Sequence, residues 1–327
     1  MPTPAERRSR VLYLCAWGRS GTTVLDRVLG QLPGCFSVGE LRSLWDADPE
    51  VRRCGCGKTV AACDVWGPVL DDVLAPPGPR SVAEVRRLRD EVARSRHLLG
   101  LWRRGHRSEA AEAYGALLVA LYRALLDRTG AELVVDSSKH PAEALVLAGR
   151  SDLDLSVLHV VRDPRAVAFS WSRTPVGADG STSASEDRPP PRGPLSSSAW
   201  WTAWNAAAEW LVADRAGTGY VRLRYEDVVA DPLRRLGPLV RRLGHSPDEL
   251  RLDSDGAVDL APSHTVAGNP NRFAAGPVRL VEDRAWVGSM ATSARWLATV
   301  PALPLMSHYG YALRAPGRDP ADGDGRS

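Results

Sequence analysis

Six consecutive residues, Gly18-Arg19-Ser20-Gly21-Thr22-Thr23, combine two glycines with one arginine and three hydroxyls. That composition suits the binding of a phosphate-like anion. The loop follows an apolar run of strand length, Val11 to Ala16. It opens a segment with Val24, Leu25, Val28 and Leu29 on one helical face. A strand, a glycine loop and a helix in that order aim backbone N–H groups and a helix N-terminus at one point in space. Arg19 adds a full positive charge, and the threonine hydroxyls can donate further hydrogen bonds. Taken alone, the loop specifies an anion without naming it.

The surrounding elements place this loop. Glu132–Asp136, Asp154–Val161 and Tyr220–Arg224 read as further strands, and Pro141 and Pro164 suit the first turns of the helices that follow two of them. Strands alternating with helices predict an α/β fold, a three-layer P-loop-like domain with a mainly parallel sheet and its ligand site at the strands' carboxyl ends. Residues 82–129 read as two amphipathic helices broken near Arg104-Gly105, expected to shape an acceptor pocket together with residues 174–198. The latter, rich in Ser, Pro, Gly and Asp, read as a flexible insertion within one domain spanning 1–313, and 314–327 as a disordered tail.

A nucleotide-hydrolysing P-loop needs Gly-Lys-Ser/Thr at the helix start, but Thr22 occupies the lysine position. Asp136 nonetheless ends an apolar strand as a magnesium-binding aspartate would. A kinase-like phosphotransferase using Mg-ATP is therefore one alternative, and a noncatalytic nucleotide-binding protein another. No G-x-G-x-x-G follows a strand, which argues against a dinucleotide site.

The Trp17–Thr23 loop resembles the 5′-phosphosulfate loop of sulfotransferases that use 3′-phosphoadenosine 5′-phosphosulfate (PAPS), particularly their carbohydrate and tyrosylprotein branches. A second segment, Val160-Val161-Arg162-Asp163-Pro164 with Ser170 eight residues after Arg162, is similar to that family's 3′-phosphate motif. A third, His264–Phe273, is similar to a C-terminal loop of bacterial members. The resemblance covers roughly residues 10–312. It implies PAPS as co-substrate, with adenosine 3′,5′-bisphosphate as product and no required metal. The implied donor-binding residues are Gly18, Arg19, Ser20, Gly21, Thr22, Thr23, Arg162, Ser170 and Arg272. The implied activity is sulfuryl transfer to a hydroxyl on a carbohydrate or small metabolite. Glu40, 21 residues after Arg19, matches the position of a catalytic base, and Arg42 follows as a substrate-positioning residue. Lys139, with Arg19, is implied to stabilise the leaving bridging oxygen. His140 and His159 are alternative bases.

Composition bounds these readings. Of 42 basic residues only Lys58 and Lys139 are lysines, and the net charge of +3 gives no sign of a nucleic-acid-binding surface. No apolar stretch is long enough for a membrane span, and five cysteines without a secretory signal suit a cytoplasmic protein. Cys54-Gly55-Cys56 with Cys63 offers three thiolates and no neighbouring histidine, so no metal is assigned and the thiols are expected to pair or stay free. The tryptophans at 200, 201, 204 and 210 lie on one expected helix; core packing and acceptor stacking are both open readings.

Overall fold

The first strand, β1 (Ser9–Cys15), is buried along almost its whole length. Such a strand needs cover on both faces, the condition at the centre of a parallel sheet. Val11, Tyr13 and Cys15 join one apolar cluster, and Leu12 and Leu14 with the following Ala16 join another. Alternation along the strand thus builds two cores, one per face. The computed structural model describes residues 8–79, 81–104, 108–173, 190–253 and 256–313.

Four strands join β1: β2 (Cys35–Gly39), β3 (Leu133–Lys139), β4 (Leu153–Val161) and β5 (Tyr220–Arg224). Their order is β2-β3-β1-β4-β5, and every pairing is parallel. One face is covered by helices Trp66–Leu74, Val82–Val92, Glu109–Thr129 and Pro141–Ala148. The opposite face is covered by Thr22–Leu29, Tyr225–Ala230 and Pro232–Arg242. This is the expected three-layer P-loop-like α/β fold. The chain leaves β1 for β2 and returns through β3 on one side of it, then crosses to β4 and β5 on the other. That reversal opens a crevice at the carboxyl ends of the strands.

Several boundaries differ from the sequence expectation. β2 reads as a short apolar segment in sequence because it has only five residues. A small antiparallel pair, β6 (Ala257–Leu260) and β7 (Gly276–Arg279), has no clear alternation to reveal it. The 82–129 region forms three α-helices, Val82–Val92, Leu98–Arg104 and Glu109–Thr129, because the chain also breaks at Ala93-Arg94. Pro194 opens a helix, with proline in its first turn, so residues 194–198 are helical rather than part of an insertion. Residues 174–189 and the expected tail lie outside the described residues. Among the described residues no helix is long and apolar enough to cross a membrane.

Candidate active site

All five strands of the main sheet deliver residues to one cavity of about 1130 Å³ at their carboxyl ends. β1 leads to Gly18, Arg19, Gly21, Thr22 and Thr23; β2 to Glu40; β3 to Lys139; β4 to Arg162; and β5 to Tyr225. A roof segment, Ala267 to Asn271, closes another side.

The loop after β1 has the geometry of an anion cradle. Helix Thr22–Leu29 starts at Gly21 with no side-chain cap, so its first-turn amides lack intrahelical acceptors. Gly21 has φ 82°, and a Cβ there would lie 2.1 Å from the Tyr225 ring. Glycine alone meets both conditions. Ser20 is buried, and its hydroxyl has no partner among the described residues. It is the one loop position that does not line the cavity.

Arg19 and Lys139 also hold left-handed backbones, with φ 71° and 69°. Such conformations are costly for non-glycine residues, of order 1–3 kcal/mol each, and cluster at functional sites. Here both belong to basic residues of the cavity.

Arg162 leaves the end of β4 and lays its guanidinium over the Tyr225 ring, 5.1 Å from the centroid. It donates to the Arg19 carbonyl at 3.0 Å and the Asp283 carbonyl at 3.3 Å, while its buried Nε has no partner among the described residues. Asp163 does not neutralise it: that carboxylate caps the next helix and pairs with Arg165. Ser170, two turns along the same helix, faces the cavity as well. Arg162 and Ser170 thus form a second polar station beside the first loop.

Glu40 and Lys139 meet as an ion pair, Lys139 Nζ donating to Glu40 Oε1. The Glu40 amide donates to the Ala267 carbonyl at 3.1 Å, which fixes this end of β2 against the roof. Both side chains retain some exposure on the cavity.

Other expected site residues lie elsewhere. Arg42 does not line the cavity; it pairs with the fully buried Glu143 at 2.8 Å, where Tyr114 also donates. Its backbone N–H bonds Ser138 Oγ, so it ties the Glu40 segment to β3 rather than reaching an acceptor. Arg272 is also absent from the lining: it donates to the carbonyls of Thr265 and Arg53, at 2.7 and 2.8 Å. It braces the roof from behind. The described residues of the 82–129 helices do not reach the cavity, although Arg89 supports its wall through the Arg42 carbonyl and Asp46.

The two histidines offered as alternative bases are engaged. His140 accepts from the Ala142 amide as a helix cap, and burial near Arg42 and Arg89 pushes its pKa well below 6.5. His159 sits in the core between Tyr220 and Asn205. Asp136, the would-be magnesium ligand, is wholly buried and binds Ser138 and Tyr122. Burial and the nearby Glu143 raise its pKa to about 7. It does not line the cavity.

Tertiary structure adds two features. Indole N–H groups brace three of the ligand-facing turns: Trp171 to the Gly18 carbonyl, Trp201 to Arg162 and Trp204 to Lys139. The helical spacing of the tryptophans was legible, but not these acceptors. Second, His264 lies against Cys54, Cys56 and Cys63. The fourth donor absent from the neighbourhood in sequence is present in space, which overturns the expectation of no metal-binding set.

Fold and site together define an α/β protein of the P-loop kind, with Gly21-Thr22-Thr23 in place of Gly-Lys-Thr. Among solved structures, the chain is similar to a sulfotransferase domain from the curacin biosynthetic pathway, with 16% identity over 94% of this chain and 100% of that one, and a TM-score of 0.47. It is similar to a sulfotransferase from Mycobacterium tuberculosis H37Rv, with 18% identity over 76% and 71% and a TM-score of 0.42. It is also similar to retinol dehydratase in complex with retinol and PAP, with 16% identity over 97% and 85% and a TM-score of 0.39. No protein-family model matches the chain, and no curated protein does.

Proposed function

We propose that the protein is a PAPS-dependent sulfotransferase acting on a hydroxyl of a carbohydrate or small metabolite. The observation that carries this reading is the convergence of two anion stations and one acid–base pair on a single cavity. The stations are Arg19 in its loop and Arg162 with Ser170; the pair is Glu40 with Lys139.

The cavity suits a donor with two separated anionic groups. Arg19, the first-turn amides and the Thr22 and Thr23 hydroxyls are assigned to the 5′-phosphosulfate, with Ser20 behind them; Arg162 and Ser170 are assigned to the 3′-phosphate. When bound, PAPS supplies an activated sulfuryl group on a phosphate leaving group. The residues hold this charge without water reorganisation, the main source of rate in transfers of this kind.

Glu40 removes the acceptor hydroxyl proton. In the resting protein its carboxylate is paired with Lys139. A donor anion beside Lys139 gives the ammonium a competing partner and frees Glu40 for the acceptor. Lys139 and Arg19 then neutralise charge developing on the bridging oxygen. A reducing compartment such as the cytoplasm is part of this reading, since it suits five free cysteines.

A kinase-like reading is disfavoured by Asp136, whose oxygens are already bound away from the cavity, and by Thr22 in the lysine position. The test is incubation with labelled PAPS or labelled ATP, each with and without magnesium, across a panel of hydroxylated acceptors. Sulfuryl transfer from PAPS without magnesium is expected. Phosphoryl transfer from Mg-ATP alone would overturn the assignment.

A further inference from the structure

Cys54, Cys56 and Cys63 fall in one loop, and His264 arrives from a segment 201 residues beyond Cys63. Their ligand atoms all lie within 4.8 Å of one another. Cys56 and Cys63 sulfurs are 3.8 Å apart, and His264 Nδ1 is 3.2 Å from Cys63 Sγ and 3.8 Å from Cys54 Sγ. A tetrahedral zinc site has Zn–S near 2.3 Å and Zn–N near 2.0–2.1 Å, which puts its ligand atoms roughly 3.6–3.8 Å apart. Three of the six donor pairs lie at 3.2–3.8 Å and all lie within 4.8 Å, so a small contraction of the set reaches that geometry. A disulfide would instead draw two of the three sulfurs to about 2.05 Å and strand the third.

The local backbone is shaped for the same purpose. The Cys54 amide donates to the Lys58 carbonyl, and the Gly57 amide to the Cys54 carbonyl, with Gly57 at φ 90°. The loop therefore turns tightly enough to aim the first two sulfurs together. The Trp66 indole donates to the His264 carbonyl at 2.5 Å, and the His264 ring stacks on Phe36, fixing its direction.

We propose that Cys54, Cys56, Cys63 and His264 bind a single zinc ion, which pins the Arg52–Cys63 loop to the roof of the cavity. Three thiolates and one imidazole in a closed tetrahedral set match zinc over magnesium, calcium or manganese, which prefer oxygen. All four positions are filled by protein, so the ion is structural. Its reach to the roof is short: the Gly55 amide binds the Thr265 carbonyl, and Ala267 accepts from Glu40. The metal therefore stabilises one wall of the anion site without touching the reacting groups. The proposal does not rest on the sulfotransferase assignment.

The test is metal content, read separately from activity. Protein purified without chelators should carry one zinc per chain by plasma mass spectrometry. Titration of the native protein with an organomercurial should release that zinc as three thiols react. Cobalt substituted for zinc should give the intense visible absorption of a tetrahedral thiolate site. Cys63→Ser and His264→Ala should each lose the bound metal; where a variant fails to fold, the titration and the cobalt spectrum on the native chain decide. A metal-free native protein that takes up no cobalt in tetrahedral form would overturn the proposal. So would an intramolecular disulfide among Cys54, Cys56 and Cys63 in protein isolated anaerobically.

Discussion

Lys139 donates to Glu40 across 99 residues of sequence, joining the carboxyl ends of β3 and β2 at the mouth of the anion loop. Each side chain limits the other in the resting protein, the ammonium occupying one oxygen of the carboxylate. The partner exchange proposed above follows from this contact. Glu40→Gln keeps the side chain's shape and removes its basicity. It should lower kcat by roughly 10²–10⁴-fold while leaving affinity for adenosine 3′,5′-bisphosphate within a few-fold. Single-turnover assays with calorimetry separate these outcomes; lost binding in a folded variant would contradict a role as base.

Arg162→Ala should weaken adenosine 3′,5′-bisphosphate by about 10- to 100-fold, since hydrogen bonds to charged groups contribute about 1.5–3 kcal/mol. Adenosine 5′-phosphate lacks the 3′ group, so its affinity should barely change. Equal losses for both nucleotides would place Arg162 in loop support, through its bond to the Arg19 carbonyl, rather than in 3′-phosphate binding.

Gly21→Ala tests the cradle itself. The added methyl meets the Tyr225 ring in a backbone conformation unfavourable to alanine. Nucleotide binding should be lost, because the loop or Tyr225 must move. Truncating the ring with Gly21→Ala/Tyr225→Ala relieves the clash but not the backbone strain, so recovery should be partial. Calorimetric titration of both variants checks this.

Arg42→Leu separates a strut from a substrate ligand. Glu143 is fully buried, and removing one partner of such a pair typically destabilises by about 3–5 kcal/mol. Denaturant unfolding should show a loss of that order, with KM for the acceptor nearly unchanged at low temperature. A raised KM without destabilisation would restore Arg42 to the acceptor site.

Asp26 gives a pH signature. It lies buried under the anion loop and accepts from Ser37 Oγ at 2.5 Å; burial raises its pKa from 3.8 to about 8. The folded state therefore holds a proton that the unfolded chain releases. This contribution to stability is full below pH ~4 and is lost as pH rises through about 8. Asp26→Asn should flatten that part of the stability–pH curve and raise relative stability at pH 8 and above. An unchanged profile by thermal unfolding would show that Asp26 is ionised in the native protein.

Local chemistry made much of the fold legible. β1, helix Thr22–Leu29, β4 and β5 appear as apolar runs and helical faces, and the two prolines mark helix starts. The anion loop shows for the same reason: its glycines, arginine and hydroxyls are contiguous. Family resemblance, not spacing, singled out Glu40 and Lys139.

The sequence by itself therefore determined a parallel α/β frame and an anion loop, because strand burial, helical periodicity and turn chemistry act over a few residues. Tertiary structure alone decided which distant side chains meet. It brought Lys139 to Glu40, turned Arg42 and Arg272 into braces, aimed three indoles at loop carbonyls and gave three cysteines their histidine. Those outcomes depend on strand order and on which carbonyls and carboxylates remain unsatisfied when layers pack, and neither is encoded in any short stretch of the chain.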